Sequence, residues 1–187
     1  CGSRQARDSR VVVIASHKRV WAVMNRLGLV LPPLSERDHS KPRGHVSVPG
    51  SNRRWATDLT TAWTREDGWV AIVPVVDCGD RSVLALHVTK SQEAPNVLAP
   101  LREALVAEFV DPAAVPDAME LRSDNGPQFT SADCGGLCRR WNVEQTFSPP
   151  GRPTGNAIAE RLIQTLKVEL VWTNDWDSLE ELRAALE

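Results

Sequence analysis

The stretch from residue 54 to residue 88, RWATDLTTAWTREDGWVAIVPVVDCGDRSVLALHV, decides the fold class. It contains three runs rich in β-branched and aromatic residues, which are Arg54 to Trp63, Trp69 to Val76 and Ser82 to Val88. The turn sequences Glu-Asp-Gly and Asp-Cys-Gly-Asp separate these runs. Strand-forming runs bounded by turn residues predict three strands joined as an antiparallel meander.

Helices and strands are predicted to alternate after the meander. Apolar residues recur with a helical period from Ser91 to Val110, and further helices are predicted at about Ser131 to Trp141 and Thr154 to Trp172. Short strands are predicted between them, at Met119 to Arg122 and Val143 to Phe147. This order predicts an α/β domain with a five-stranded mixed sheet flanked by helices.

The chain before and after this domain has a different character. An amphipathic helix is predicted from Ser16 to Leu29, and a basic, proline-containing linker is predicted over residues 31–53. An acidic helix begins near Ser178. We therefore divide the chain into an N-terminal segment (1–30), the linker (31–53), a core (54–172) and a truncated acidic helix (173–187).

Charge is distributed unevenly along the 187 residues. The formal net charge is −2, but residues 1–57 hold eleven Lys or Arg against three Asp or Glu, a net charge of +8, and the remainder carries −10. Such asymmetry points to nucleic-acid contact by the basic part. The longest apolar run, Trp69 to Val76, has eight residues against the ~20 of a membrane-spanning helix, and no secretory leader is apparent. We expect a cytoplasmic protein that makes no contact with a membrane.

Three acidic residues occupy positions that structure alone does not favour. Asp58 lies within a strand pattern, Asp124 ends the fourth predicted strand, and Glu160 lies in the middle of the strong helix near the C-terminus. Each has an ordinary explanation by itself, as a solvated strand residue, a turn residue and a residue on the wet face of a helix. Because ligands of α/β sheets gather at strand ends, the three carboxylates could converge on one point.

The sequence resembles the DDE integrases and insertion-sequence transposases that share the integrase catalytic core. The resemblance rests on WATDLT (55–60), VVDCGDR (75–81), LRSDNGPQFTS (121–131) and SPPGRPTGNAIAERLIQTLKVEL (148–170). Upstream, SHKRVWAVMNRLGL (16–29) is similar to the end of the helix-turn-helix region of bacterial transposases. The resemblance implies a ribonuclease H-like fold.

The resemblance also implies a catalytic triad of Asp58, Asp124 and Glu160 that holds two Mg²⁺ ions, with Mn²⁺ as an alternative. Oxygen ligands suit these ions, and a pair of metals about 3.5–4 Å apart supports in-line displacement at phosphorus. The implied activity is cleavage and transfer of DNA strands. The implied partners are double-stranded DNA, as transposon ends and target, and further copies of the chain. The implied location is the bacterial cytoplasm, in association with the nucleoid.

Further residues are candidates for DNA contact. Asn156, Gln164 and Lys167 lie four before, four after and seven after Glu160, which places them on one stripe of an α-helix. Lys167 matches a basic, DNA-contacting position of the family, and Arg161 is a second candidate cation on the helix. In the linker, Arg53 and Arg54 are expected to contact phosphate.

Two other functions remain open at this point. The chain could be a catalytically inactive, truncated remnant that only binds DNA. It could also be a ribonuclease H-like nuclease acting on RNA–DNA hybrids or junctions, although the proline loop and SDNGPQF (123–129) fit this alternative poorly.

Overall fold

The computed structural model describes residues 16–30, 47–148 and 156–186. The chain forms two compact units, Cys1–Arg43 and Gly44–Glu187. In the first unit, helix α1 spans His17–Arg26, within the range predicted for an amphipathic helix. Among the helices that the structure describes, none has both the length and the apolar character needed to cross a bilayer.

The second unit is built on a mixed sheet. Its strands are β1 (Arg54–Thr57), β2 (Thr60–Thr64), β3 (Gly68–Asp77), β4 (Val83–Thr89), β5 (Glu120–Ser123) and β6 (Glu144–Phe147). Strand β3 pairs with β1 and β2 along one edge and with β4 along the other, always antiparallel. Strand β5 then pairs with β1, and β6 with β5, both in parallel. The predicted meander and the mixed sheet are confirmed.

The prediction of five strands is wrong by one, because the first predicted strand is interrupted. Pairs Thr57↔Val75 and Thr60↔Ile72 belong to one continuous register along β3. Continuing this register places Asp58 opposite Pro74, which has no N–H to contribute to a ladder. The backbone of Asp58 and Leu59 is therefore irregular, and one long strand becomes two.

Five α-helices accompany the sheet in the described part of the second unit. After α1 they are α2 (Ala94–Val97), α3 (Ala99–Phe109), α4 (Ala132–Arg140), α5 (Ala157–Leu166) and α6 (Leu179–Leu186). A 3₁₀ turn at Pro112–Ala114 follows α3, and a π-helical turn at Lys167–Val171 follows α5. The single helix predicted from Ser91 to Val110 is thus two helices, because Pro100 lies in the first turn of α3, where its missing N–H is tolerated and a new helix begins.

Two apolar clusters hold the sheet. The larger one contains Trp55 and Leu121 from the sheet, Leu105 from α3 and Leu137 from α4. The second joins β2, β3 and β4 to the C-terminal segment. Its buried side chains are Ala62, Val70, Ile72, Val88, Val171, Trp176, Leu179 and Leu182. The acidic helix at the C-terminus is therefore packed against the sheet.

Candidate active site

Parallel pairing of β1 with β5 brings two of the predicted acidic residues to one edge of the sheet. Ala56 pairs with Arg122, and Asp58 and Asp124 each follow two residues later. Because side chains alternate between faces with a period of two, both carboxylates lie on the face that Ala56 and Arg122 present. Asp58 is half-buried and Asp124 is exposed.

Helix α5 brings Glu160 to the same edge. Ala159 is fully buried and packs against Ala56, so the helix covers this face of β1. Asn156, at the N-cap position, donates a hydrogen bond from Nδ2 to the carbonyl oxygen of Thr57 at 2.9 Å. The start of α5 is therefore tied to the residue that precedes Asp58. Glu160 lies one turn into the helix and is exposed.

The pKa of Asp58 reports the proximity of these groups. The pKa of Asp58 is raised to about 6, chiefly by burial, and the charges of Asp124 and Glu160 contribute in the same direction. The backbone N–H of Leu59 and the ammonium group of Lys167 act in the opposite direction. The three carboxylates and Lys167 thus share one electrostatic environment.

The turn after β5 fixes the carboxylate of Asp124. Its Oδ1 accepts a hydrogen bond from the backbone N–H of Gly126 at 3.0 Å. A Cβ atom at Gly126 would lie 2.9 Å from the same oxygen, so a larger residue would displace the carboxylate. Asn125 donates from Nδ2 to the carbonyl oxygen of Ser148 at 3.1 Å, which connects the turn to the end of β6.

The donor chemistry of the site suits a divalent cation. Three carboxylates supply the oxygen ligands that Mg²⁺ and Mn²⁺ prefer, and a cation would offset the mutual repulsion that Asp58 experiences. Within the described residues, no three His, Cys, Asp or Glu side chains are gathered closely enough to hold a metal ion together. The three carboxylates are thus on one edge of the sheet without forming a coordination shell.

The predicted DNA contacts on α5 divide into two groups. Arg161 and Gln164 are exposed and hydrogen-bonded to each other at 3.1 Å, and Lys167 is half-buried at the end of the helix. Asn156 is only 3% exposed, and its amide is engaged by Thr57. Its predicted role in binding DNA does not agree with this burial, since it anchors the helix instead.

The two arginines predicted to contact DNA from the linker also lie in different surroundings. Arg53 is exposed, and its guanidinium donates to the carbonyl oxygen of Asp117 at 3.4 Å. Arg54 belongs to β1, and its Nε lies 2.8 Å from Glu120, a hydrogen bond that raises the pKa of Arg54. Arg54 therefore joins two parallel strands, and this ion pair does not fit the expectation of a linker residue that contacts phosphate.

Sequence reasoning missed two features of this edge. The anchoring role of Asn156 has a signal in the sequence, because asparagine is favoured at helix N-termini. The second feature is the π-helical turn at Lys167–Val171, which hydrophobic periodicity does not reveal.

Comparisons with known proteins agree with this architecture. Residues 49–153 match the family model described as "Integrase core domain". The match covers more than half of the chain, and the chain belongs to this family. The fold is the ribonuclease H-like α/β fold of integrase catalytic cores.

Among curated relatives, the chain is 28% identical over 181 residues to the transposase InsF for insertion sequence IS3A of Escherichia coli (strain K12). The alignment covers 90% of this chain and 61% of the relative, so the chain spans 61% of that protein's length.

Two solved structures share the fold at lower identity. A chain of the simian T-cell lymphotropic virus intasome, in complex with PP2A regulatory subunit B56 gamma, has 24% identity and a TM-score of 0.60. The structural match covers 78% of this chain and 51% of the intasome chain. The HTLV-2 integrase catalytic core domain in complex with magnesium (trimeric form) has 17% identity and a TM-score of 0.53, over 74% of this chain and 84% of that one.

Proposed function

We propose that this chain carries the catalytic core of a bacterial insertion-sequence transposase, which cleaves and transfers DNA strands by metal-dependent phosphoryl transfer. The observation that carries the proposal is the arrangement of Asp58, Asp124 and Glu160 at one edge of the sheet. Two parallel strands supply the aspartates, and a helix anchored to the end of β1 supplies the glutamate. Family membership and the similarity to InsF support it.

The three carboxylates would hold Mg²⁺, with Mn²⁺ as an alternative. When bound there, divalent ions would supply activation of the attacking oxygen and stabilisation of the leaving oxygen in a displacement at phosphorus. Asp58, at an irregular position between two strands, and Asp124, in a turn fixed by Gly126, are held by backbone geometry. Glu160 approaches from the helix and completes the set.

The DNA would approach across the exposed side of α5. Lys167 places a positive charge near Asp58, where it would neutralise a phosphate next to the reacting one. Arg161 and Gln164 present further donors from the same helix. Because transposition joins two element ends to one target, we also propose that active assemblies contain more than one copy of the chain.

The test is a DNA cleavage and joining assay. The substrate is labelled duplex DNA from the ends of the insertion element that encodes the chain, incubated with Mg²⁺ or with EDTA. We expect the unchanged chain to nick or join the DNA only with Mg²⁺, and Asp124→Asn to abolish the reaction. Asp117→Asn is the matched control, because Asp117 is an exposed aspartate in a turn that precedes β5.

The outcomes separate the proposal from its alternatives. Equal activity of the unchanged chain and Asp124→Asn would refute the catalytic assignment. Binding of DNA by both, with activity in neither, would favour a DNA-binding remnant. Cleavage of RNA–DNA hybrids in preference to duplex DNA would favour a ribonuclease H-like nuclease.

A further inference from the structure

A cluster of tryptophans beside the site has no role in the proposed chemistry. Four of the seven tryptophans line one pocket of about 510 Å³, which is enclosed by β2, the start of β3 and the segment after α5. Trp63 and Trp69 meet edge to face with ring centroids 5.5 Å apart. Trp176 is buried, whereas Trp63, Trp69 and Trp172 are 55%, 62% and 69% exposed. Three large aromatic surfaces therefore face solvent together.

The π-helical turn aligns one of these rings with the proposed active site. Lys167 lies seven residues after Glu160, or about two α-helical turns, and so shares its face of the helix. In a continuing α-helix, Trp172 would lie about 140° around the axis from Lys167. Instead, the N–H of Trp172 bonds to the carbonyl oxygen of Lys167 at 2.9 Å, which closes a wider turn. Trp172 consequently lies beyond Lys167 on the stripe that begins with Glu160.

Contact between the two side chains confirms this alignment. The ammonium nitrogen of Lys167 lies 5.8 Å from the centroid of the Trp172 ring. Lys167 also shares a helix face with Glu160, so it connects the tryptophan to the carboxylates. A group bound against Trp172 would be adjacent to a phosphate held by Lys167.

The charges around the pocket favour a neutral, flat group. The charged residues that line the pocket are Arg65 and Asp175, and they pair with each other at 3.2 Å. The lining thus has exposed indole rings and no net charge, with Lys167 at its rim. Nucleobases are neutral and flat and are covalently attached to phosphates, so they match this combination.

We propose that the pocket binds unpaired bases of the DNA strand next to the reacting phosphate, with Trp172 as the principal stacking surface. This inference rests on the proposed function. Unpairing of bases costs free energy, and stacking on an exposed indole offsets that cost in a sequence-tolerant manner. The pocket would stabilise an opened DNA end while Lys167 neutralises the adjoining phosphate.

The test measures binding without catalysis. A DNA end with three unpaired nucleotides, one of them 2-aminopurine, is compared with the fully paired end in EDTA. Fluorescence of 2-aminopurine reports stacking, and a separate label reports affinity. We expect the unchanged chain to prefer the unpaired end and to quench 2-aminopurine. Trp172→Ala should lose about five- to hundredfold of affinity for the unpaired end, corresponding to one stacked base.

Two further variants control this experiment. Trp172→Phe keeps an aromatic face and should retain part of the preference. Val168→Ala removes another exposed apolar side chain from the same turn and should retain all of it. A Trp172→Ala variant that keeps the preference and the quenching would overturn the inference, as would equal loss of affinity for both ends. Weaker self-association of Trp172→Ala, with the preference unchanged, would also overturn it and assign the pocket to a protein contact.

The cleavage assay distinguishes failure of this inference from failure of the proposed function. Loss of the reaction in Asp124→Asn together with unchanged base stacking in Trp172→Ala would refute only the role of the pocket.

Discussion

Replacement of Asn156 by alanine should separate anchoring of the catalytic helix from the stability of the fold as a whole. The substitution removes the hydrogen bond from Nδ2 to Thr57 and leaves a buried carbonyl oxygen unpaired. An unsatisfied buried polar group costs about 1–3 kcal/mol. The substitution also removes the buried Oδ1 atom, which has no partner among the described residues, and this offsets part of the cost. We therefore expect a loss of about 1–2 kcal/mol in the free energy of unfolding.

Urea denaturation followed by tryptophan fluorescence measures this loss. The matched control is Asn174→Ala, because Asn174 also donates from Nδ2 to a backbone carbonyl, that of Leu170, at 3.0 Å, but it is exposed. Water can replace that bond, so the control should lose less than about 0.5 kcal/mol. Equal stability of the two variants would refute the anchoring role of Asn156.

The same variant should affect catalysis more than stability. Glu160 lies one helical turn after Asn156. Displacement of a catalytic group by about 1 Å can reduce the rate ~100-fold. In the absence of urea, at a temperature where the variant is folded, Asn156→Ala should cleave DNA much more slowly than the unchanged chain. Equal rates would show that Glu160 is positioned by packing of Ala159 alone.

Three further predictions concern backbone, pH and salt. A Cβ atom at position 79 would lie 2.0 Å from the carbonyl oxygen of Gly50, so Gly79→Ala should force a backbone shift and lower the melting temperature, as measured by calorimetry. The ammonium of Lys90 lowers the pKa of Asp67 in the folded chain. The interaction between Lys90 and Asp67 therefore stabilises the fold fully above the pKa that Asp67 has in the unfolded chain, and this stabilisation is lost as pH falls through the folded-state pKa. Lys90→Ala should flatten the acid side of a stability–pH curve; an unchanged curve would contradict it. Lys167→Ala should reduce the slope of log affinity against log salt by about 0.9. Lys90→Ala should leave the slope unchanged, because Lys90 is paired with Asp67.

Local patterns in the sequence were sufficient for the meander and for the mixed character of the sheet, but not for the number of strands. Alternation and turn residues identified the meander, and parallel pairing of the strands that precede Asp58 and Asp124 follows from the order of the elements. Aspartate is disfavoured in strands, so the presence of Asp58 in a strand pattern suggested a special role. The strand is in fact interrupted at Asp58. An acidic residue disfavoured by the local structure marks a place where the backbone departs from it.

The remaining differences depend on contacts between residues far apart in sequence. The interruption at Asp58 depends on Pro74, sixteen residues away, which strand periodicity does not detect. Asn156 fits the spacing of a helical stripe, but α5 begins after it and its side chain points to Thr57. The widened turn after Lys167 changes which residues share a face, so that spacing alone would exclude Trp172 from the stripe of Glu160.

Several acidic side chains of residues 58–187 are paired locally with cations. Asp175 and Asp177 bind Arg65, Asp67 binds Lys90, and Glu180 binds Arg183. Charges in solution are screened within about 8 Å at physiological ionic strength, so these pairs have little influence on a distant phosphate. At the sheet edge, the three carboxylates carry negative charge that a divalent cation would offset. The net charge of −10 belongs to residues 58–187 as a whole, while the local charge at α5 determines whether DNA can approach.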